Sequence, residues 1–382
     1  MLTRRIYCDY AASTPIAPEV SLALRTFLET HGPGNASSLH LDGRALRERL
    51  DGARDQVSAM LGCDFKDVLF TSGGTESDNL AIIGAILSRR DTGRNGIVIG
   101  ASEHHAVVDA AAFAGRFLGA DIRIARVDDA ARVDVEHLDS LVDDRTAIVS
   151  VQHANNEIGS IQPVKEIAAV AHAQGAWFHC DAVQTPITVP FMVADLDADL
   201  VTISSHKIYG PAGVGALYSR VPIQPVSVGG TQERGLRAGS ENVLGAIGFG
   251  VAASVEIARR CSGRSEIQAV ATSVHDLRLR LRDYQRVSIN TPAEDAIATT
   301  LHISIEGYST EDILMLLDRK GISASGGSAC ASGAVEPSHV IQACGWSNER
   351  QNGALRLSFG IGTTDDEIRY VAEIVGLIAN KG

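Results

Sequence analysis

The stretch "DVLFTSGGTESDNLAIIGAILSRR", Asp67 to Arg90, decides the fold. A short apolar run ends at Ser72, Gly73 and Gly74 allow a tight turn, and an apolar pattern of helical period follows. Strand, turn and helix in that order make half of a βαβ unit. The unit recurs outward along the chain. "GIVIGAS", "TAIVSVQH", "AWFHCDA" and "LVTISSHK" are β-rich, and each ends in small or polar residues. Helices lie between several of them, for example "PVKEIAAVAHAQG", which starts near Pro163 and stops at Gly175. The alternation predicts an α/β fold, a mainly parallel central sheet flanked by helices. Ligands gather at the carboxyl ends of the strands in such sheets, so the polar residues there are the candidates for chemistry.

A chain of 382 residues is long enough for two domains, and its 45% apolar and 21% charged residues are a globular balance. After about residue 260 the texture changes to helix "SEIQAVATSVHDLRLRLRDY", strand "TTLHISIEG", helix "STEDILMLLDRKG", strand "ALRLSFG" and a last helix from about Thr364. The last two helices open on Ser-x-x-Asp and Thr-x-x-Glu capping patterns. The expected division is a large domain over 16–258 and a smaller α+β domain from 1–15 and 259–382. The net charge of −12 argues against a nucleic-acid surface. "VLGAIGFGVAASV" (Val243 to Val255) is too short to span a bilayer and predicts a buried helix, so no membrane association is expected. "MLTRRIYCDYAAS" carries no apolar secretory core. The six cysteines form no CxxC pair and no metal-ligand spacing, which predicts reduced thiols in a cytoplasm and no metal site. One of them, Cys330, sits in "SASGGSACASG" among residues no larger than serine, in a loop of about 323–337. It is either a reactive thiol that must move or an incidental cysteine in a tight turn.

The strand ends carry the rest. At "FTSGGTESDNL" Thr75 starts the helix, with Asp78 expected as its capping partner. Free N–H groups and the helix dipole favour a phosphate there, although such a turn can be purely structural. "FHCDAVQ" ends a strand on Asp181, then Gln184; the carboxylate is a helix N-cap or the partner of a pyridinium nitrogen. In "TISSHKIYGPAGVGALY" Lys207 follows a buried-type strand, where its charge must be paired or its pKa must fall. A lowered pKa suits a Schiff base; a surface lysine is the plain alternative. "SEHHAV" offers His104 or His105, and "HANNEIG" offers Asn155, Asn156 and Glu157, either for a ligand or as ordinary turn chemistry. A lysine, an aspartate and a helix N-terminus together are the parts of a pyridoxal-phosphate site.

These segments, with "YCDYAASTP", "GNASSLH", "GGTQERGLRAGSENV", "SGGSACASGAVEPSHV" and "LRLSFGIGTT", resemble in order the pyridoxal-phosphate-dependent cysteine desulfurases of the NifS/IscS type. Those are fold type I transferases. The resemblance implies pyridoxal 5'-phosphate as cofactor, with Lys207 as its Schiff-base lysine and Asp181 on its ring nitrogen. Gln184 and Asn156 would lie on the ring hydroxyl side, and His104 would stack on the ring. Gly74, Thr75, Ser204 and His206 would hold the phosphate, joined by Ser240 of the neighbouring subunit, which implies a homodimer. Arg356, with Asn35 and Asn156, would bind the substrate carboxylate. Two departures stand out: Ser240 replaces the usual threonine but keeps the hydroxyl, and "GNASS" lacks the proline common after the asparagine.

The implied reaction takes sulfur from L-cysteine. Lys207 removes the Cα proton, the Cys330 thiolate attacks the substrate sulfur, alanine leaves, and a persulfide goes to an acceptor protein. Iron–sulfur cluster assembly, tRNA thiolation or DNA phosphorothioation is the destination that the resemblance implies, and the sequence does not choose among them. A transaminase or lyase of the same fold, a selenocysteine lyase and a non-catalytic sulfur-transfer scaffold are the other readings. Intact Lys207, Asp181, His104, Cys330 and Arg356 speak against the last.

Overall fold

The computed structural model describes residues 5–263, 266–327 and 337–380, so Cys330 lies outside the described residues. Seven strands form the central sheet, in the order Val68–Thr71, Gly215–Ser219, Leu200–Ser204, Trp177–Asp181, Thr146–Ser150, Gly96–Gly100 and Asp121–Ala125. Gly215–Ser219 runs antiparallel to both neighbours, and the pairings beyond Leu200–Ser204 are all parallel. The inner strands are buried along nearly their whole length, which is why they read as continuous apolar runs. Of the two edge strands, Val68–Thr71 is buried, whereas Asp121–Ala125 stays half exposed. Its mixed "DIRIA" composition gives no such run, and the sequence reading passes over it.

The stretch that opened the reading folds as strand Val68–Thr71 and helix Gly74–Arg89. Between them Gly73 takes φ 155° and ψ −175°, a backbone conformation nearly closed to residues with a side chain. Asp78 does not cap this helix. The helix has no side-chain cap; Asp78 is buried on the sheet side, its Oδ1 3.6 Å from His179 Nε2. Glu76 turns back instead and accepts the Ser72 N–H at 2.6 Å. The local capping pattern loses because this helix is buried between the sheet and helix His105–Leu118, and Asp78 falls on its sheet-facing side.

Val243–Ser262 is a helix with a buried face of small residues, lying against helices Leu41–Leu61 and Pro18–Thr30. A second core is built on the antiparallel sheet Ala354–Ser358, Thr300–Ile305 and Val287–Ile289, covered by helices Glu266–Leu281, Thr310–Arg319 and Asp365–Ala379. Ser309 and Thr364 accept the N–H groups of Asp312 and Glu367, as the capping patterns predict. The amino terminus joins this core: Ile6–Tyr7 pairs in parallel with Ile322–Ser323, and Cys8 is buried beneath.

One buried ion pair holds a strained loop against the large sheet. Glu233 and Arg234 sit at φ 44° and 59°. The Glu233 carboxylate accepts both terminal nitrogens of Arg54 at 2.6 and 2.7 Å and the Phe70 N–H at 3.0 Å. Glu233→Ala leaves Arg54 buried and unpaired, and is expected to destabilise the fold by roughly 3–5 kcal/mol. The denaturant midpoint measures this; an unchanged midpoint would show that the pair does not hold the loop.

Candidate active site

Five parallel or neighbouring strands deliver their carboxyl-terminal residues to one cleft. Val68–Thr71 leads to Gly74 and Thr75, and Gly96–Gly100 leads to His104. Thr146–Ser150 leads to Gln152 and Asn156, and Trp177–Asp181 to Asp181 and Gln184. Leu200–Ser204 ends in a single 3-10 turn, Ser205–Lys207, that lifts His206 and Lys207 over the sheet. The cleft encloses about 1060 Å³ of space, part of it open to solvent. Asp9, Ala11, Ser325, Gly327 and Arg356 close it from the side of the second core.

Lys207 is half-buried, and its Nζ donates to the Ala11 carbonyl, which also accepts the Gln184 amide at 2.9 Å. Burial, then the nearby Arg356 charge, lowers the amine pKa to about 8 against the opposing pull of Asp181 and Asp9. Asp181 accepts the Val183 N–H at 2.9 Å. Burial raises its pKa, while His104, that N–H and Lys207 pull it down. Asp78 and Glu103 are also pushed up, mainly by burial, and each feels the charge of Asp181. Three buried acids thus stand together, and among the described residues Asp78 Oδ1 has no hydrogen-bond partner. A protonated ring nitrogen held at Asp181 would bring a cation to this cluster.

The structure separates the two histidines. His104 lines the cleft; His105 turns away and packs its ring on His339 at 4.5 Å. His104 also caps helix His105–Leu118, its Nδ1 accepting the Ala106 N–H at 3.1 Å. That bond puts the proton of the neutral ring on Nε2. Burial lowers the His104 pKa, so the neutral form prevails. His206 is pushed down to about 4 by burial and by Lys207, and its Nδ1 lies 3.2 Å from the Ser13 hydroxyl.

Arg356 reaches the cleft from the middle of strand Ala354–Ser358. Its Nη1 donates to the carbonyls of Asn156 at 2.8 Å and Gly327 at 3.1 Å, its Nη2 to Asp9 at 2.7 Å. Asp9 and the Ala11 carbonyl escape sequence reasoning. Their motif "YCDYAAS" is visible, but their partners lie roughly two hundred to three hundred and fifty residues away. Two expected residues stay outside the cleft. Asn35 is exposed, its Oδ1 taken by the Ser37 N–H at 2.8 Å. Ser240 is exposed on the loop that follows Glu233.

The aminotransferase class-V family model matches residues 6–371. A cysteine desulfurase IscS of Dictyoglomus turgidum is 37% identical over 385 residues, covering 100% of this chain and 96% of that one. The chain belongs to the cysteine desulfurases, within the class-V aminotransferases. Among solved structures, a NifS-like protein superposes on the desulfurase with a TM-score of 0.90 at 30% identity, covering 98% of this chain and 99% of its own. A structure described as SspA in complex with cysteine does so at 0.80 and 27%, covering 94% and 100%. The desulfurase uses pyridoxal 5'-phosphate, and the donor set fits that cofactor. A lysine with a depressed pKa, the buried acids Asp78 and Asp181, and a helix opening on Gly73-Gly74 with free N–H groups meet in one cleft.

Proposed function

We propose that this desulfurase moves the sulfur of L-cysteine onto Cys330 as a persulfide, releases L-alanine, and hands the sulfur to an acceptor protein. One observation carries the reading. Ser325 and Gly327, just before the segment that contains Cys330, wall the same cleft as Lys207.

Lys207 would hold the cofactor, with Asp181 at the ring nitrogen, Gln184 and Asn156 on the hydroxyl side, and His104 on the ring face. Gly74, Thr75, Ser204 and His206 would take the phosphate. The bound cofactor withdraws electrons from the substrate, so that its Cα proton can leave and its carbon–sulfur bond can break. Lys207, with its pKa near 8, is neutral often enough at physiological pH to take the Cα proton on Nζ. His104, which lines the cleft, keeps its proton on Nε2. The substrate carboxylate docks on Arg356 in exchange with Asp9, a task suited to a guanidinium already fixed by two carbonyls. The Cys330 thiolate then attacks the substrate sulfur. One S–S bond forms and one C–S bond breaks; the electron pair of that bond stays with the carbon skeleton, which takes up protons and leaves as alanine. Cysteine and a thiol become alanine and a persulfide, with no outside oxidant or reductant.

The enzyme would act as a homodimer. Ser240 is of no use to its own cleft, yet the ion pairs Glu233–Arg54 and Arg237–Glu76 hold its loop firmly at the surface, where it can serve the cofactor phosphate of a neighbouring subunit. The test uses cysteine labelled with radioactive sulfur. After one turnover without acceptor, the label should be found on the peptide that contains Cys330, in amounts equal to the alanine formed. Label on another cysteine, or alanine without bound label, overturns the reading.

A further inference from the structure

Strand Thr300–Ile305 runs beside strand Ala354–Ser358, and His302 is the register partner of Arg356. Side chains alternate along both strands. Leu301, Ile303, Leu355 and Leu357 enter the second core, so His302, Ser304 and Arg356 share the opposite face. The Arg356 N–H and carbonyl are bonded to Ser325, while the His302 carbonyl accepts the N–H groups of Asn290 and Thr291. The His302 N–H goes to the Thr291 hydroxyl. Both residues thus turn their peptide groups away from each other. Such a non-hydrogen-bonded pair has Cα atoms about 4.5 Å apart and brings its two side chains closest together. His302 is wholly buried and Arg356 nearly so.

The ring of His302 is itself fixed. Asn290 Oδ1 accepts the Arg350 Nε–H at 2.8 Å, which sets the orientation of the amide. The amide nitrogen then donates to His302 Nδ1 at 2.9 Å and to Ser304 Oγ at 2.8 Å. Trp346 packs on the imidazole with 5.8 Å between ring centroids. Burial, then the charges of Arg356 and Arg350, push the His302 pKa down to about 3, so the ring stays uncharged beside a guanidinium. Arg356 bonds the described residues through Nη1 and Nη2, and its buried Nε has no partner among them. The outer end of the guanidinium is tied to backbone carbonyls and Asp9. The lie of its plane depends also on what stands beside it on the sheet.

We infer that His302 is a positioning residue for substrate binding: its ring is the wall that holds the guanidinium plane of Arg356 in the orientation that receives a carboxylate. The inference rests on the docking of the substrate carboxylate on Arg356 proposed above. Bidentate pairing of a guanidinium with a carboxylate is planar and directional, so a tilted plane loses one of its two bonds.

The experiment uses the holoenzyme and two probes, L-alanine and L-alaninamide, whose binding is read from the change in cofactor absorbance. The amide replaces the carboxylate by a neutral group of the same shape, so the ratio of the two affinities isolates carboxylate recognition. Arg356→Ala is the reference and should lower that ratio. His302→Ala should raise the half-saturating L-alanine concentration and the KM for L-cysteine roughly tenfold, the scale of one charge-assisted hydrogen bond. L-Alaninamide binding and kcat should stay as in the wild type. His302→Asn keeps an oxygen for the Asn290 amide but withdraws the far side of the ring. It should show the same selective loss, and it decides the matter if His302→Ala loses its cofactor. His302→Phe restores a ring and should recover most of the affinity. Wild-type binding of L-alanine in His302→Asn overturns the inference. So does a variant in which L-alaninamide weakens as much as L-alanine, the mark of a merely structural role. If Arg356→Ala leaves the ratio unchanged, the docking of the carboxylate on Arg356 is what fails, and this is seen before any His302 variant is compared.

Discussion

Lys207→Ala should reduce alanine formation from cysteine by roughly a thousandfold or more, the scale on which enzymes lose rate when a group acting in the covalent step is deleted. The variant should still fold, because Nζ makes one hydrogen bond, to the Ala11 carbonyl. It should bind pyridoxal phosphate without covalent attachment, so borohydride reduction labels the wild type and not the variant. The same amine gives a pH signature. Its pKa is lowered to about 8, first by burial and then by Arg356. Only the neutral amine attacks an aldehyde. Covalent loading of cofactor-free protein should therefore rise about tenfold per pH unit below pH 8 and level off above it, since the ammonium form dominates only on the acid side. Loading that climbs without a break toward pH 10 would mean an ordinary exposed lysine, and the cofactor assignment would fall with it.

Cys330→Ser should bring an equally large loss, confined to the sulfur step. Cysteine should still bind and still change the cofactor absorbance, while alanine and persulfide fall by roughly three orders of magnitude. A serine hydroxyl does not ionise near neutral pH, and the thiolate is the sulfur nucleophile. The remaining thiols offer no replacement. Burial pushes Cys8, Cys63 and Cys344 up to about 12 and raises Cys180 as well. Cys261 is exposed near the end of helix Val243–Ser262 and does not line the cleft. Undiminished alanine formation in Cys330→Ser would point to another chemistry on the same fold.

The parts of this molecule legible in the sequence are those where local and tertiary demands agree. Inner strands are apolar throughout because helices cover both faces, so Gly96–Gly100, Thr146–Ser150 and Leu200–Ser204 announce themselves. The polar residues directly after them could then be placed at one end of the sheet, and Thr75, His104, Asn156, Asp181 and Lys207 do meet there. Legibility stops where the two demands differ. Asp78 carries a capping pattern, but its helix turns it inward toward His179. Asp121–Ala125 is half exposed at the sheet edge and has lost the apolar signal. Asp9 and Glu157 gain their meaning only from residues far along the chain, Arg356 and Ser338. Nothing in a stretch of ten residues around either acid records such a partner.

The parallel pairing of Ile6–Tyr7 with Ile322–Ser323 has a consequence for the order in which the protein is made. The segment that brings the Ala11 carbonyl to Lys207 is translated more than three hundred residues before the strand that fixes it. Contacts of such long sequence separation form late in folding. A nascent chain can therefore complete its large sheet well before its lysine pocket has a roof. The reactive amine gains its full setting, and with it its depressed pKa, only once Ile322 and Ser323 have been made.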